Sequence, residues 1–381
     1  MYETKQASTR YGLFALAALL VISILALGSC NPADPGQGNP VTAESHVFVM
    51  GVTGPDSAHA VPCYWKDGVL HILPLDTGWS AGYAIGMVTD SSGNETISGG
   101  EGDWMTSQIA CVWKNGSLTA LPLGSGNAYG DAEHMVRASD GTVYIAGAVG
   151  TSVSSSIMPC FWKNGSLETL PIDTGFTGGF ASTPVIDSLG NVYIDGIVSD
   201  ATHSVPCYWK NGAVTTLPLG GTNTTGGVRM AAVDSAGSLY VVGFVRSTGS
   251  MSSTLCYWRD GVQHPLDLGT GNDTGLVDGV VFDSAGNVYM SGEVSAPLSS
   301  SQAACYWKNG NLSPLPLGTG NTSGCALGAA ADAAGNVYYA GGVGATASDS
   351  TACCWKNGEL STLPFGAGNA WAQGYFVCCG P

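Results

Sequence analysis

Charge is scarce in this chain. Of 381 residues only 10% are Asp, Glu, Lys or Arg, and 12 Lys and Arg stand against 28 Asp and Glu, for a net charge of −16. Lys and Arg form no cluster. DNA, RNA and anionic lipid surfaces are held through phosphates by such clusters, so no nucleic-acid partner is expected. The acidity reads as a solubility device. Signatures of catalysis and metal binding are missing too. No Cys-x-x-Cys, His-Glu-x-x-His or phosphate-cradling Gly loop occurs. His46, His59, His71, His134, His203 and His264 follow no ligand spacing, and the 12 cysteines are too dispersed for a metal site. Gly78-Trp79-Ser80-Ala81-Gly82 matches Gly-x-Ser-x-Gly, but it falls between two expected strands, not at the strand-to-helix elbow that motif needs. No cofactor, no metal and no convincing catalytic set are expected. Beyond residue 27 no apolar run is long enough to span a bilayer.

What the chain does have is 44% hydrophobic residues and 56 glycines. That excludes disorder and suits many tight turns between short strands. The N-terminus reads as an export signal. Lys5 and Arg10 precede an uncharged apolar run from Leu13 to Leu27, the length of a signal-peptide core and short for a membrane span. The run ends Leu27-Gly28-Ser29-Cys30, which resembles the lipobox of bacterial lipoproteins. The resemblance implies cleavage before Cys30 and lipidation of its sulfur. An ordinary signal peptide or an uncleaved anchor are the alternatives. Two or three acyl chains hold a protein stably at a membrane. Asn31, where the family uses Asp to retain a protein at the inner membrane, implies the outer membrane in a cell that has one. The expected organisation is a signal peptide over 1–29, a lipidated Cys and Pro/Gly tether over 30–45, and one repeat domain over 46–381.

The repeat is the strongest signal. Cys63-Tyr64-Trp65-Lys66-Asp67-Gly68 returns at Cys111, Cys160, Cys207, Cys256, Cys305 and Cys353, at intervals of 48, 49, 47, 49, 49 and 48 residues. Most copies are followed by a Leu-Pro segment such as Leu121-Pro122-Leu123. A second motif, Asp187-Ser188-Leu189-Gly190-Asn191-Val192-Tyr193-Ile194, alternates with the first. Runs rich in β-branched and aromatic residues, cut by Asp, Asn and Gly, give four strands per copy: Phe180–Ile186, Asn191–Val198, Val205–Lys210 and Ala213–Leu217 in one copy. Four antiparallel strands at this period match a propeller blade. The first strand, from His46, matches strand B, and the last, from Gln373, matches strand A. The expectation is an all-β, seven-bladed propeller closed by its C-terminal strand.

The order Trp-Lys-Asn-Gly, Leu-Pro-Leu-Gly, Gly-Asn-Val-Tyr-x-x-Gly resembles extracellular bacterial propeller repeats of the HAF and SBBP kinds, over residues 46–381 and through short motifs only. It implies an extracellular propeller and carries over no catalytic residue. The repeated Trp and Cys read as packing residues. Equivalent cysteines in neighbouring blades lie too far apart to bridge. One bridge among Cys325, Cys354, Cys378 and Cys379 is left open. The Asp of Asp-Ser-x-Gly-Asn reads as a turn cap, because the further carboxylates of a calcium loop are missing.

Function is expected where the repeat breaks. The D–A connections carry Trp371, Trp79, Tyr129 and Phe176 into blades 1 to 4, then Thr225, Asp273 and Thr322. This pattern predicts an aromatic arc and a polar arc at the channel mouth, with Trp104 in a B–C loop adding to the aromatic side. These rings equally serve to pack the loops down. Inside strand A, Glu133, Arg229 and Asp278 align with Ile85, Ser182 and Leu327, so a polar axial pocket, or a water-filled channel with incidental charge, is expected. The chain is read as a lipid-anchored envelope protein with the membrane as one partner, through Cys30, and a glycan, peptide or protein as another. A structural envelope protein without a small ligand, or a glycosidase or lyase using Glu133 and Asp278, are the alternatives.

Overall fold

The computed structural model describes residues 46–380 apart from 57–58, 104–106, 153–156, 248–249, 251, 298, 300, 347–348 and 370; Cys30 and Trp104 lie outside the described residues. The chain forms seven sheets of four antiparallel strands each, ordered A-B-C-D from the axis outward. In blade 1 strand A is Trp371–Gly380, B is His46–Gly54, C is Val61–Lys66 and D is Val69–Ile72. The inner strands of blades 2 to 7 are Gly82–Thr89, Tyr129–Arg137, Gly178–Ile186, Thr225–Val233, Thr274–Phe282 and Ser323–Ala331. Blade 4 continues with B at Val192–Ser199, C at Ser204–Lys210 and D at Ala213–Thr216, within two residues of the sequence reading. The ring shuts as expected: strand A of blade 1 pairs with B from His46↔Gly380 to Gly54↔Trp371.

The repeated residues explain the blade. Each C–D turn places Asp or Asn and then Gly at positive φ, as Asn211 (50°) and Gly212 (85°), the backbone a two-residue hairpin needs. The same side chain ties the turn to its neighbour, for Asn211 Oδ1 accepts the Val192 N–H at 2.9 Å. In the A–B turn Asp187 Oδ1 accepts the N–H of Leu189 and of Asn191, at 2.9 and 2.8 Å. A–B and C–D turns therefore share one face, and B–C and D–A connections occupy the other.

The seven repeated Trp are fully buried, and each indole joins two blades. Trp209 Nε1 donates to the Pro171 carbonyl of the preceding blade at 2.7 Å; Trp113 does the same to Pro74 and Trp355 to Pro316. The Leu-Pro segment is thus the acceptor that each Trp reads. Blade 6 shows that only the carbonyl matters, because Trp307 donates to Asp267 at 2.7 Å. The repeated cysteines are buried beside these indoles.

The Gly of Val-Tyr-x-x-Gly has its own reason. A Cβ on Gly196 would lie 2.1 Å from the Phe180 carbonyl oxygen and 2.6 Å from the Trp209 ring. The same close approach to an inner-strand carbonyl oxygen occurs at Gly51, Gly99, Gly147, Gly243, Gly292 and Gly341. Gly196→Ala should therefore cost about 3 kcal/mol, the upper end of ordinary overpacking, read as a lower urea midpoint. A midpoint equal to that of the unmodified chain would contradict this packing.

Candidate functional site

Every inner strand is bulged at one level. The A–B register skips Tyr375 in blade 1, Ile85 in blade 2, Glu133 and His134 in blade 3, and Ser182 and Thr183 in blade 4. It skips Arg229, Asp278 and Leu327 in blades 5, 6 and 7. A bulge leaves a residue unpaired and re-aims its side chain. The residues that break the strand-A pattern in sequence are therefore the bulge residues. Round the ring they fall into two unbroken arcs. Leu327, Tyr375 and Ile85 form an apolar arc in blades 7, 1 and 2. Glu133, Ser182, Arg229 and Asp278 form a polar arc in blades 3 to 6.

The polar arc is a buried charge cluster. Glu133, Arg229 and Asp278 are at most 3% exposed, and strand B adds Asp195 and Glu293, also buried. Arg229 Nε stands 3.6 Å from Asp278 Oδ1, an ion pair too long for a hydrogen bond. Among the described residues Glu133 Oε1 and Oε2, Arg229 Nε and Nη1, Asp278 Oδ2, Glu293 Oε2 and Asp195 Oδ2 find no hydrogen-bond partner. Such groups are costly in a protein interior. Burial pushes the Glu133 carboxyl well above the usual carboxylate range, helped by Asp131 and Asp195 and opposed by Arg229. Burial likewise raises Glu293, with Asp278 adding to it. Asp195 and Asp278 are each pushed up to about 7 by burial, against a hydrogen bond from the Thr183 N–H in the first and Arg229 in the second. His134, buried with no partner for either ring nitrogen among the described residues, is held neutral by burial. Among the described residues no group of three or more His, Cys, Asp or Glu is arranged to hold a metal.

One level nearer the D–A face, Asp131 is held by blade 2 and by its own strand. Tyr83 Oη donates to it, Gln108 Nε2 donates at 2.8 Å, and Tyr129 Oη donates at 3.2 Å. Tyr129 is thus buried as a carboxylate ligand at this level. Trp79, Phe176 and Trp371, also singled out in sequence, are half-buried. Trp371 packs with Tyr375 against Val52, Ala60, Tyr83 and Ile85, and Phe176 packs on the cluster around Leu170. The Trp79 ring lies across Gly102. The structure therefore brings Glu133, Arg229 and Asp278 to one cluster, and brings Trp371 and Tyr129 to either side of Tyr83. Thr225 bonds Ser204 at the mouth, and Thr322 Oγ1 donates to the Ala345 carbonyl at 2.6 Å.

Sequence reasoning missed Asp131, Asp195 and Glu293. A signal was there for two of them, since a carboxylate interrupts an apolar B strand in Val192-Tyr193-Ile194-Asp195 and in Ser291-Gly292-Glu293-Val294. Nothing marked Asp131 or its ligand Gln108.

What the fold and site define is a seven-bladed propeller whose departures from sevenfold repetition collect at the axis. No family model matches the chain, and no curated protein matches it. Solved propeller structures do. A puromycin hydrolase, solved as its S511A mutant with PGG, aligns with a TM-score of 0.55 at 12% identity over 90% of this chain and 57% of that one. A Mycobacterium tuberculosis puromycin-hydrolyzing peptidase aligns at 0.51 and 11% identity, over 89% of this chain and 56% of that one. An ulvan lyase aligns at 0.48 and 10% identity, over 90% of this chain and 95% of that one. This chain spans a little over half the length of the two peptidases. The likeness is one of fold.

Proposed function

We propose that this chain is a lipid-anchored, extracytoplasmic propeller that binds a glycan or peptide, free or carried on a protein, at the channel mouth on the D–A and B–C face. The observation that carries this reading is the split ring. Seven equivalent bulge positions separate into one apolar and one charged arc, directly beneath a mouth where Trp371, Trp79 and Phe176 keep part of each ring exposed. A repeat selected only for packing has no reason to break this way. Half-exposed rings offer stacking surface, and function usually lies on variable loops held by a rigid scaffold. The anchor is supported by the run to Leu27 and the lipobox-like Leu27-Gly28-Ser29-Cys30.

Glu133 and Asp278 are poorly disposed for acid–base work on a polymer. Both are buried, and Ser182 and Arg229 separate them round the ring. The test is a glycan and peptide array probed with the full chain in detergent. Trp79→Ala together with Trp371→Ala should lower binding to the array ligand at least tenfold, the loss of about 1.4 kcal/mol of stacking. An array without any hit, or binding unchanged in the double variant, would favour a structural envelope protein. A hit that is turned over, with turnover lost in Glu133→Gln, would favour a glycosidase or lyase.

A further inference from the structure

Between blades 4 and 5 the inner wall opens into a cavity. One level above the bulges, strand A carries Gln373, Tyr83, Asp131, Phe180, Leu276 and Cys325 in six blades, and Gly227 in blade 5. Gly227 has no side chain to fill its place, and the Phe244 ring lies over it. The resulting space, about 60 Å³, is lined chiefly by Phe180, Ser182, Ile197, Val228, Arg229 and Phe244. Phe180, Ile197, Val228 and Phe244 are half-buried and reach solvent at the D–A face. Ser182 and Arg229 are buried and form the floor.

The lining is apolar apart from hydroxyls, backbone and one formal charge, Arg229. A guanidinium has five N–H donors. Here Nε and Nη1 find no acceptor among the described residues, although the guanidinium is only 3% exposed. Three carboxyls act on it electrostatically: Asp278 and Glu293 from strands A and B of blade 6, and Glu133 from strand A of blade 3. None of the three lines the cavity. A group entering from the mouth therefore meets the cation first.

We propose that this cavity binds the carboxylate of a small ligand whose body rests between Phe180 and Phe244 at the mouth. The inference rests on the binding-module reading and names the chemistry of its ligand. Guanidinium and carboxylate match as two parallel charge-assisted hydrogen bonds. The volume fits: about 60 Å³ exceeds the roughly 10–15 Å³ one water needs, and falls short of the ~150 Å³ cavity that holds a benzene ring. The carboxylate enters and the rest of the ligand stays outside. The net charge of −16 repels polyanions over a distance, so a single carboxylate fits better than a chain of them. Burial raises the Glu133 and Glu293 carboxyls and so favours their neutral forms, which weakens their hold on Arg229.

The test compares benzoate, benzamide and benzylamine, with glucuronate as a sugar-borne carboxylate, by ligand-observed NMR on the full chain in detergent at mildly acidic pH. Benzoate, glucuronate or both should bind at least tenfold more tightly than benzamide, a difference of about 1.4 kcal/mol. Whichever binds better identifies the kind of body the mouth prefers. Arg229→Gln should erase the preference for the carboxylate. Because a buried substitution can unfold a chain, Phe180→Ala, on the half-buried wall, serves as the second variant and should weaken the carboxylate while the melting transition persists. Equal binding of benzoate and benzamide, preference for benzylamine, or no carboxylate binding would overturn the inference. So would an array ligand that is lost in Trp79→Ala with Trp371→Ala but indifferent to Phe180→Ala and Arg229→Gln; that outcome leaves the module reading standing.

Discussion

A chain that stops at Asn369 should lose its cooperative unfolding transition altogether. The missing strand is the inner strand of blade 1, and it pairs along the whole of His46–Gly54. It also buries Ala372, Phe376, Val377 and Cys378, each at most 2% exposed, against Phe48, Met50 and the neighbouring blades. Burying a side chain such as Phe376 stabilises by about 1.5–3 kcal/mol, and a domain has only about 5–15 kcal/mol in all. Removal also leaves strand B of blade 1 as an unpaired apolar edge at the axis. Calorimetry on the truncated chain should show no sharp heat-absorption peak, and a synthetic peptide covering 370–381 should restore one. A truncated chain that melts like the intact one would show that the ring does not depend on this closure.

Stability should be greatest in mild acid and fall as pH rises from about 4 to about 7, the reverse of the usual carboxylate effect. Asp195 and Asp278 titrate at about 7 in the folded chain and near 4 when unfolded, and Glu133 and Glu293 are displaced in the same direction. Across that window the folded state binds more protons than the unfolded state, so each pH unit upward favours unfolding. For Asp195 alone, a displacement of about three pH units amounts to about 4 kcal/mol. The turn carboxylates act the other way. Asp187, Asp283 and Asp332 are held below their usual value by the N–H donors of their turns, so the stability they contribute is lost as pH falls below about 4. Urea midpoints measured at pH 5 and pH 8 should differ strongly. Asp195→Asn, which keeps an acceptor for the Thr183 N–H at 2.6 Å, should narrow that gap. A midpoint that rises from pH 5 to pH 8, unaltered by Asp195→Asn, would contradict a proton-holding axis.

Blade number, strand order and closure were legible because packing repeats leave a periodic trace. The indole of Trp209 and the carbonyl of Pro171 form one contact repeated round the ring, and both ends recur in the sequence. The bulges left no such trace. Ile85, Glu133, Arg229 and Leu327 occupy the same backbone irregularity with unrelated side chains, because a bulge constrains the strand and not the residue type. The break in pattern could be aligned, but its cause could not be read. The partner of each charge was equally hidden. Asp131 is held by Tyr83 and Gln108 from the preceding blade, and Asp195 and Glu293 reach the cluster from a second strand, contacts that only the closed ring creates. Tyr129 looked like a mouth aromatic by its position in the repeat, whereas its hydroxyl turns inward to Asp131.

Hydrogen exchange of the full chain with and without an array ligand tests the central claim most directly. The account predicts ligand-dependent protection at the D–A and B–C ends of the inner strands, in segments 178–183, 225–230 and 371–375, and none in the A–B and C–D turns around Asn211 and Asp187. Protection confined to those turns, or spread along the outer D strands, would place binding on another surface and contradict it.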